Sequence, residues 1–90
     1  MATPRKRKKK LQQCRTRVQA LRLSLKLTIY QMSKLLGVTA GTYTSWEYGY
    51  RMPSRKNKHF LEEFFGEPLE ELMAEAIIIR SAGKITVVQV

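Results

Sequence analysis

Cysteine and histidine are nearly absent from these 90 residues, Cys14 and His59 being the only ones. A single cysteine excludes an internal disulfide, and the two together leave no cluster at metal-ligand spacing. Cys14 is expected to pack as a small apolar residue and His59 to lie on a helix flank. The five glycines form no phosphate-cradling loop, so no nucleotide and no other cofactor is expected. Ser33 and Ser45 have no general base except the distant His59, and the glutamates follow one another along helical surfaces, so the chain is not expected to be an enzyme. Long apolar runs are missing too: none approaches the ~20 residues of a membrane span. Gln12, Gln13, Arg15 and Arg17 interrupt any stretch that could serve as the core of a secretory signal. Action in the cytoplasm or nucleoid, or in the nucleus of a eukaryote, is the expectation.

Acid is scarce in one part of the chain. Residues 1–58 hold fifteen Lys and Arg against Glu47 alone, whereas residues 59–90 hold six Glu against Arg80 and Lys84. The formal +10 is therefore a strongly basic segment followed by a mildly acidic one. A solvated face needs only about 2 to 8 charges, usually of mixed sign; this asymmetry points to a polyanion bound through counterion release.

Ninety residues bury one modest core, so one domain with tails is expected. Residues 1–10, which include Lys6, Arg7, Lys8 and Lys9, have too much like charge to fold alone and read as a disordered basic arm or a nuclear address. The domain proper spans 11–75. Leu11, Cys14, Val18, Leu21 and Leu25 recur at steps of three and four, which predicts a first helix over about 9–24 with Arg15, Arg17 and Arg22 on its basic face. Thr28 caps a second helix to about 36, with Ile29, Met32, Leu35 and Leu36 inward and Gly37 as its stop. Thr39 caps a third to about 47, with Tyr43 and Trp46 facing the core. Ser54 caps a fourth, with Phe60, Leu61, Phe64 and Phe65 on its buried side, and Pro68 opens a fifth carrying Leu69, Leu72 and Met73. In residues 76–90 the β-branched runs Ile77-Ile78-Ile79 and Ile85-Thr86-Val87-Val88 flank Ser81-Ala82-Gly83-Lys84, which predicts a hairpin; a fifth helix continuing through Arg80 is the competing reading.

Two short helices joined tightly around Gly37-Val38 have the spacing of a helix-turn-helix. With Leu27-Thr28, Leu36-Gly37-Val38-Thr39, Thr42, Trp46-Glu47-Tyr48-Gly49, Pro53-Ser54, Phe65-Gly66, Leu69 and Leu72 in this order, residues 18 to 73 resemble the phage-repressor and Cro-like helix-turn-helix family, also called the xenobiotic-response-element family. The resemblance implies a mostly α fold: a five-helix bundle whose third helix enters the major groove of duplex DNA while the second crosses the backbone. It places Ala40, Gly41, Thr42, Thr44 and Ser45 against base edges, Thr28 against phosphate, and Tyr48, Tyr50 and Arg51 where the following loop meets the backbone. The arm and Arg15 would add sequence-independent contacts.

The sequence departs from the family pattern in four places: Lys26 replaces a common Gly, Ile29 a common Gln, Lys58 an apolar residue, and Ala40-Gly41 the long polar residues usual there. No residue from 39 to 46 can make the bidentate Arg–guanine or Gln/Asn–adenine pairs worth about 1–3 kcal/mol each. Hydroxyls and methyl groups remain, which fits modest or shape-based preference over a strict code. A Cro- or repressor-type transcription regulator is the leading expectation. Its hairpin either pairs with a second copy or covers its own core. An RNA- or ribosome-associated module, or a bridging protein using the bundle as a docking scaffold, is the alternative.

Overall fold

The computed structural model describes residues 10–90; Lys6, Arg7, Lys8 and Lys9, expected in the basic arm, lie outside the described residues. The elements run β1 (Lys10–Cys14), α1 (Arg17–Ser24), α2 (Ile29–Leu36), α3 (Ala40–Glu47), α4 (Arg55–Phe65), α5 (Leu69–Leu72), β2 (Ala76–Ser81) and β3 (Lys84–Gln89). The strands form one antiparallel sheet in the order β1-β2-β3.

The C-terminal hairpin forms as expected, and helix five stops at Leu72. Ser81 faces Lys84 across the turn. Ala82 and Gly83, at φ 53° and 81°, are the two left-handed residues that a tight hairpin turn requires.

The first helix is shorter than its periodicity predicts. Residues 10–14 pair with β2, Cys14 opposite Ala76 and Lys10 opposite Arg80, and the helix starts only after Thr16, whose side chain accepts from the Gln19 N–H. The reason is positional. Leu11 and Cys14 fit a helical stripe, but the exposed edge of an Ile-rich strand offers their backbone a full ladder of hydrogen bonds, and Thr16 is a strong N-cap that starts the helix after it. Leu11 and Leu25, expected inward, are 69% and 52% exposed.

Two apolar clusters flank α1. Val18 joins Met32, Leu36, Tyr43, Trp46, Leu61, Leu69 and Leu72 in the helical core. Ala20 packs instead with Cys14, Ala76 and Ile78, and Leu23, Ile85 and Val87 close over them. Helix α1 is thus a wall shared by bundle and sheet, which is why it lacks a single apolar stripe. On α4 the inward residues are Leu61 and Phe65, four apart; Phe60 and Phe64 lie on the helix edge and stay about 40% exposed, contrary to expectation. Leu35 likewise turns outward on α2.

Arg22 also points inward. Its guanidinium donates from Nε and Nη2 to the Glu47 carboxylate and from Nη1 to the Leu27 carbonyl at 2.8 Å, while the Tyr43 hydroxyl donates to the same carboxylate. One buried network therefore ties α1 to α3 and to the turn before α2. Burial pushes the Tyr43 phenol far above its usual range, and the Glu47 charge adds to the effect. Because the folded value is raised, the protonated phenol favours folding: this contribution is full below the unfolded pKa of about 10 and lost as pH rises above it. The loss of stability between about pH 8 and pH 11 is expected to be smaller in Tyr43→Phe than in the parent protein, as urea midpoints at the two pH values would measure.

Candidate nucleic-acid interface

Helix α2 begins with a complete capping box: the Thr28 hydroxyl accepts from the Gln31 N–H at 3.0 Å, and the Gln31 side chain accepts from the Thr28 N–H at 2.9 Å. The spacing Thr-x-x-Gln is a legible signal for this box, although Gln31 is not among the residues expected at the interface. It stands exposed beside Thr28 at the positive end of the helix. Gly37 ends α2 at φ 75°, a left-handed conformation that costs glycine little. Thr39 then caps α3, accepting from the Thr42 N–H at 3.1 Å.

Along α3 the sides separate cleanly. Tyr43 and Trp46 are buried with ring centroids 6.4 Å apart, edge to face, and Glu47 lies under the helix end. Gly41, Thr44, Ser45 and Tyr48 follow at helical spacings of three and four on the outer side, with Ala40 exposed at the start and Thr42 half-buried beside them. The Thr39 hydroxyl lies 3.0 Å from that of Thr42, and Ser45 donates to the Thr42 carbonyl at 2.7 Å. This ridge is low, neutral and hydroxyl-rich.

The C-terminal end of α3 is clamped from the other side of the molecule. Thr16 donates to the Glu47 carbonyl at 2.9 Å, and Arg15 donates from Nη1 to the Tyr48 carbonyl at 3.0 Å. Arg15 is thereby brought next to Tyr48 and Tyr50, whose rings sit 5.8 Å apart and exposed, with Arg51 exposed beside them. The backbone N–H groups of Tyr50 and Arg51 both return to the Ser45 carbonyl, which folds this loop against the helix. Thr28, Ala40, Gly41, Tyr48, Tyr50, Arg51 and Arg15 are all exposed.

The basic face expected on α1 is mostly absent. Arg22 is buried, and Arg17 is engaged by Glu67 through Nε and Nη2 at 2.6 and 2.9 Å; only Arg15 is exposed. Periodicity misses this because it locates neither Glu47 nor Glu67 in space. The same pairing has an electrostatic consequence. Residues 10–58 carry ten Lys and Arg and a single acid, Glu47, which is enclosed and bound to Arg22. That stretch therefore presents no negative side chain to solvent.

No group of three or more metal-ligating side chains occurs among the described residues. No described helix is long and apolar enough to cross a membrane. No curated protein and no solved structure shows significant similarity to the chain. A helix-turn-helix family model matches residues 18–72, more than half of the chain and the segment that runs from α1 through α5. Matched sequence, a five-helix bundle and two capped helices around a left-handed glycine agree: the chain belongs to the Cro- and repressor-like helix-turn-helix family, a family of DNA-binding transcription regulators and not a class of enzymes.

Proposed function

We propose that this protein is a Cro- or repressor-type regulator that occupies promoter DNA with α3 in the major groove and obtains most of its affinity from phosphates. The observation that carries this reading is the neutral, small-residue ridge of α3 flanked by exposed cations, with no exposed acid anywhere in residues 10–58. Ala40, Gly41, Thr42, Thr44 and Ser45 would face base edges at close approach, their hydroxyls and methyl groups favouring thymine-rich or shape-defined sites. Thr28 would meet phosphate at the α2 N-terminus, and Tyr48, Tyr50, Arg51 and Arg15 would hold the backbone beside it.

Residues 76–90 supply a dimerisation element in this reading. β1 occupies one edge of β2, and among the described residues β3 leaves an unpaired edge, with Val88 and Val90 exposed; a second copy adding there would suit a palindromic site. The site of action is then wherever the target DNA lies, nucleoid or nucleus. A second reading, an RNA- or ribosome-associated or bridging module, is favoured by one feature, the lack of any long base-reading side chain on α3.

Arg51→Gln is expected to weaken binding to all duplexes by a similar factor and to reduce the salt slope by about 0.9, the signature of one phosphate no longer neutralised. Replacing Lys6, Arg7, Lys8 and Lys9 together by Gln is expected to flatten the slope by about 0.9 for every phosphate that these side chains neutralise. Salt-dependent affinity for duplex DNA measures both. A change confined to one target sequence would make these residues readers of bases, and an unchanged slope would remove them from the interface.

A further inference from the structure

The hairpin tip, the start of β1 and the turn before α2 enclose an open notch of about 380 Å³ lined by Lys10, Lys26, Arg80 and Lys84, with Ala82 and Gly83 at its wall. No acidic residue lines it, and no described acid forms a salt bridge with any of the four cations. Arg80 is held by the neutral Gln12 side chain at 2.7 Å, which orients its charge without cancelling it.

Three locally unfavourable features meet at this notch. Lys10 and Arg80 are directly opposed across β1 and β2, where like charges destabilise a sheet. Lys26 has φ 60° and Ala82 has φ 53°, and these are the only non-glycine residues with positive φ among those described. A left-handed backbone costs such residues roughly 1–2 kcal/mol each, and glycine at either place would relieve it. Each of the two also ends an element, Lys26 after α1 and Ala82 in the hairpin turn, so local geometry brings both to the notch. A multiply charged anion seated in the notch would offset the repulsion between Lys10 and Arg80, which share one face of the sheet, with Lys26 beside them.

Position in the chain relates the notch to the helix-turn-helix. Lys26 lies two residues before Thr28, so their Cα atoms are within about 7 Å. Lys10 directly follows the basic run Lys8-Lys9.

We infer that the notch is a phosphate site, and that on duplex DNA it takes the backbone beyond the phosphate met by the α2 N-terminus. The hairpin tip then acts as a second backbone clamp. This use of the site rests on the DNA-binding reading above; the phosphate chemistry does not.

Lys26→Gly and Lys10→Gln, combined in the full-length protein, separate binding from folding, since Lys10→Gln also removes the like-charge pair with Arg80. Lys26→Gly removes a charge while relieving a left-handed lysine, so the melting temperature is expected to hold or rise. The salt slope on duplex DNA should fall by about 1.8, for two phosphates, with the preferred sequence unchanged. Phosphate-ethylation interference should lose its signal at the backbone positions flanking the helix-turn-helix footprint. In parallel, inorganic phosphate at low ionic strength should shift the amide resonances of Lys26 and Gly83 in the parent protein and not in the variant. An unchanged slope and interference pattern, in a parent protein that binds duplex, overturns the clamp and leaves the DNA-binding reading standing. A parent protein that ignores duplex but shows the phosphate shifts keeps the notch as an anion site and overturns the DNA-binding reading. Absence of the phosphate shifts together with an unchanged slope overturns the notch altogether.

Discussion

Glu47→Ala is expected to cost this protein a large part of its stability. The carboxylate is fully buried and is the shared acceptor of the Arg22 guanidinium and the Tyr43 hydroxyl. Deleting it leaves a guanidinium of 10% side-chain exposure facing a cavity, with the Leu27 carbonyl as its remaining partner. Breaking a buried pair from one side costs about 3–5 kcal/mol, against a total of about 5–15 kcal/mol for a domain. Burial lowers the basicity of Arg22, but its bonds to Glu47 more than offset this and the net shift is upward, consistent with a guanidinium that stays charged inside the fold. A well-packed apolar replacement of both partners, Arg22→Met with Glu47→Leu, is expected to recover much of the loss, because the cost lies in an orphaned charge more than in the missing attraction. Urea denaturation of the two single variants and the double variant measures this directly. A Glu47→Ala protein within about 1 kcal/mol of the parent would show that the network contributes little.

Trp46→Ala is the second large effect. The indole is 3% exposed and packs edge to face on Tyr43 in the cluster that joins α1, α2, α3, α4 and α5. Losing it removes a large apolar surface and leaves a cavity that two short helices cannot close, which costs about 3–5 kcal/mol. Since Trp46 and Glu47 are neighbours, their effects should not add, and the double variant is expected to be less stable than either single variant by an amount that differs from the sum. Circular dichroism melting is the suitable probe, because the only tryptophan is the one replaced. An unchanged melting temperature would mean that the indole is not the anchor of α3. For the DNA-binding reading the two predictions share a consequence: α3 is held by residues on its inner side, so its outer ridge can be neutral and small without loosening the helix.

The helical part of this architecture is legible in the sequence because its signals are local. Thr28, Thr39 and Ser54 are caps, Gly37 and Gly66 are left-handed stops, and each marks a boundary that the structure places within a residue or two. The hairpin is legible from two β-branched runs around Ala82-Gly83. Strand β1 is not, since its five residues become a strand only through pairing with β2, more than sixty residues away in sequence. The fates of the arginines are hidden for the same reason. Arg15, Arg17 and Arg22 look alike along the chain, but one is exposed against Tyr48, one is paired with Glu67, and one is buried on Glu47. The notch is equally illegible: it needs Lys10, Lys26 and Lys84, which belong to three separate segments, to come together at one end of the sheet. On the candidate interface, the ridge of α3 follows from the helix-turn-helix spacing, whereas the clamp that Arg15 and Thr16 place on its C-terminal end does not.

Selection of duplex DNA by a neutral recognition helix on a basic body is tested most directly by competition between random duplex DNA and structured RNA. At about 150 mM salt, nonspecific phosphate binding is largely suppressed, and sequencing of the retained molecules reads the outcome. Retention of duplex DNA with an enriched, thymine-containing motif is expected, palindromic if β3 joins two copies. Retention of RNA in preference to DNA, or of both with no motif at all, would contradict this and make the helix-turn-helix a scaffold for another assembly.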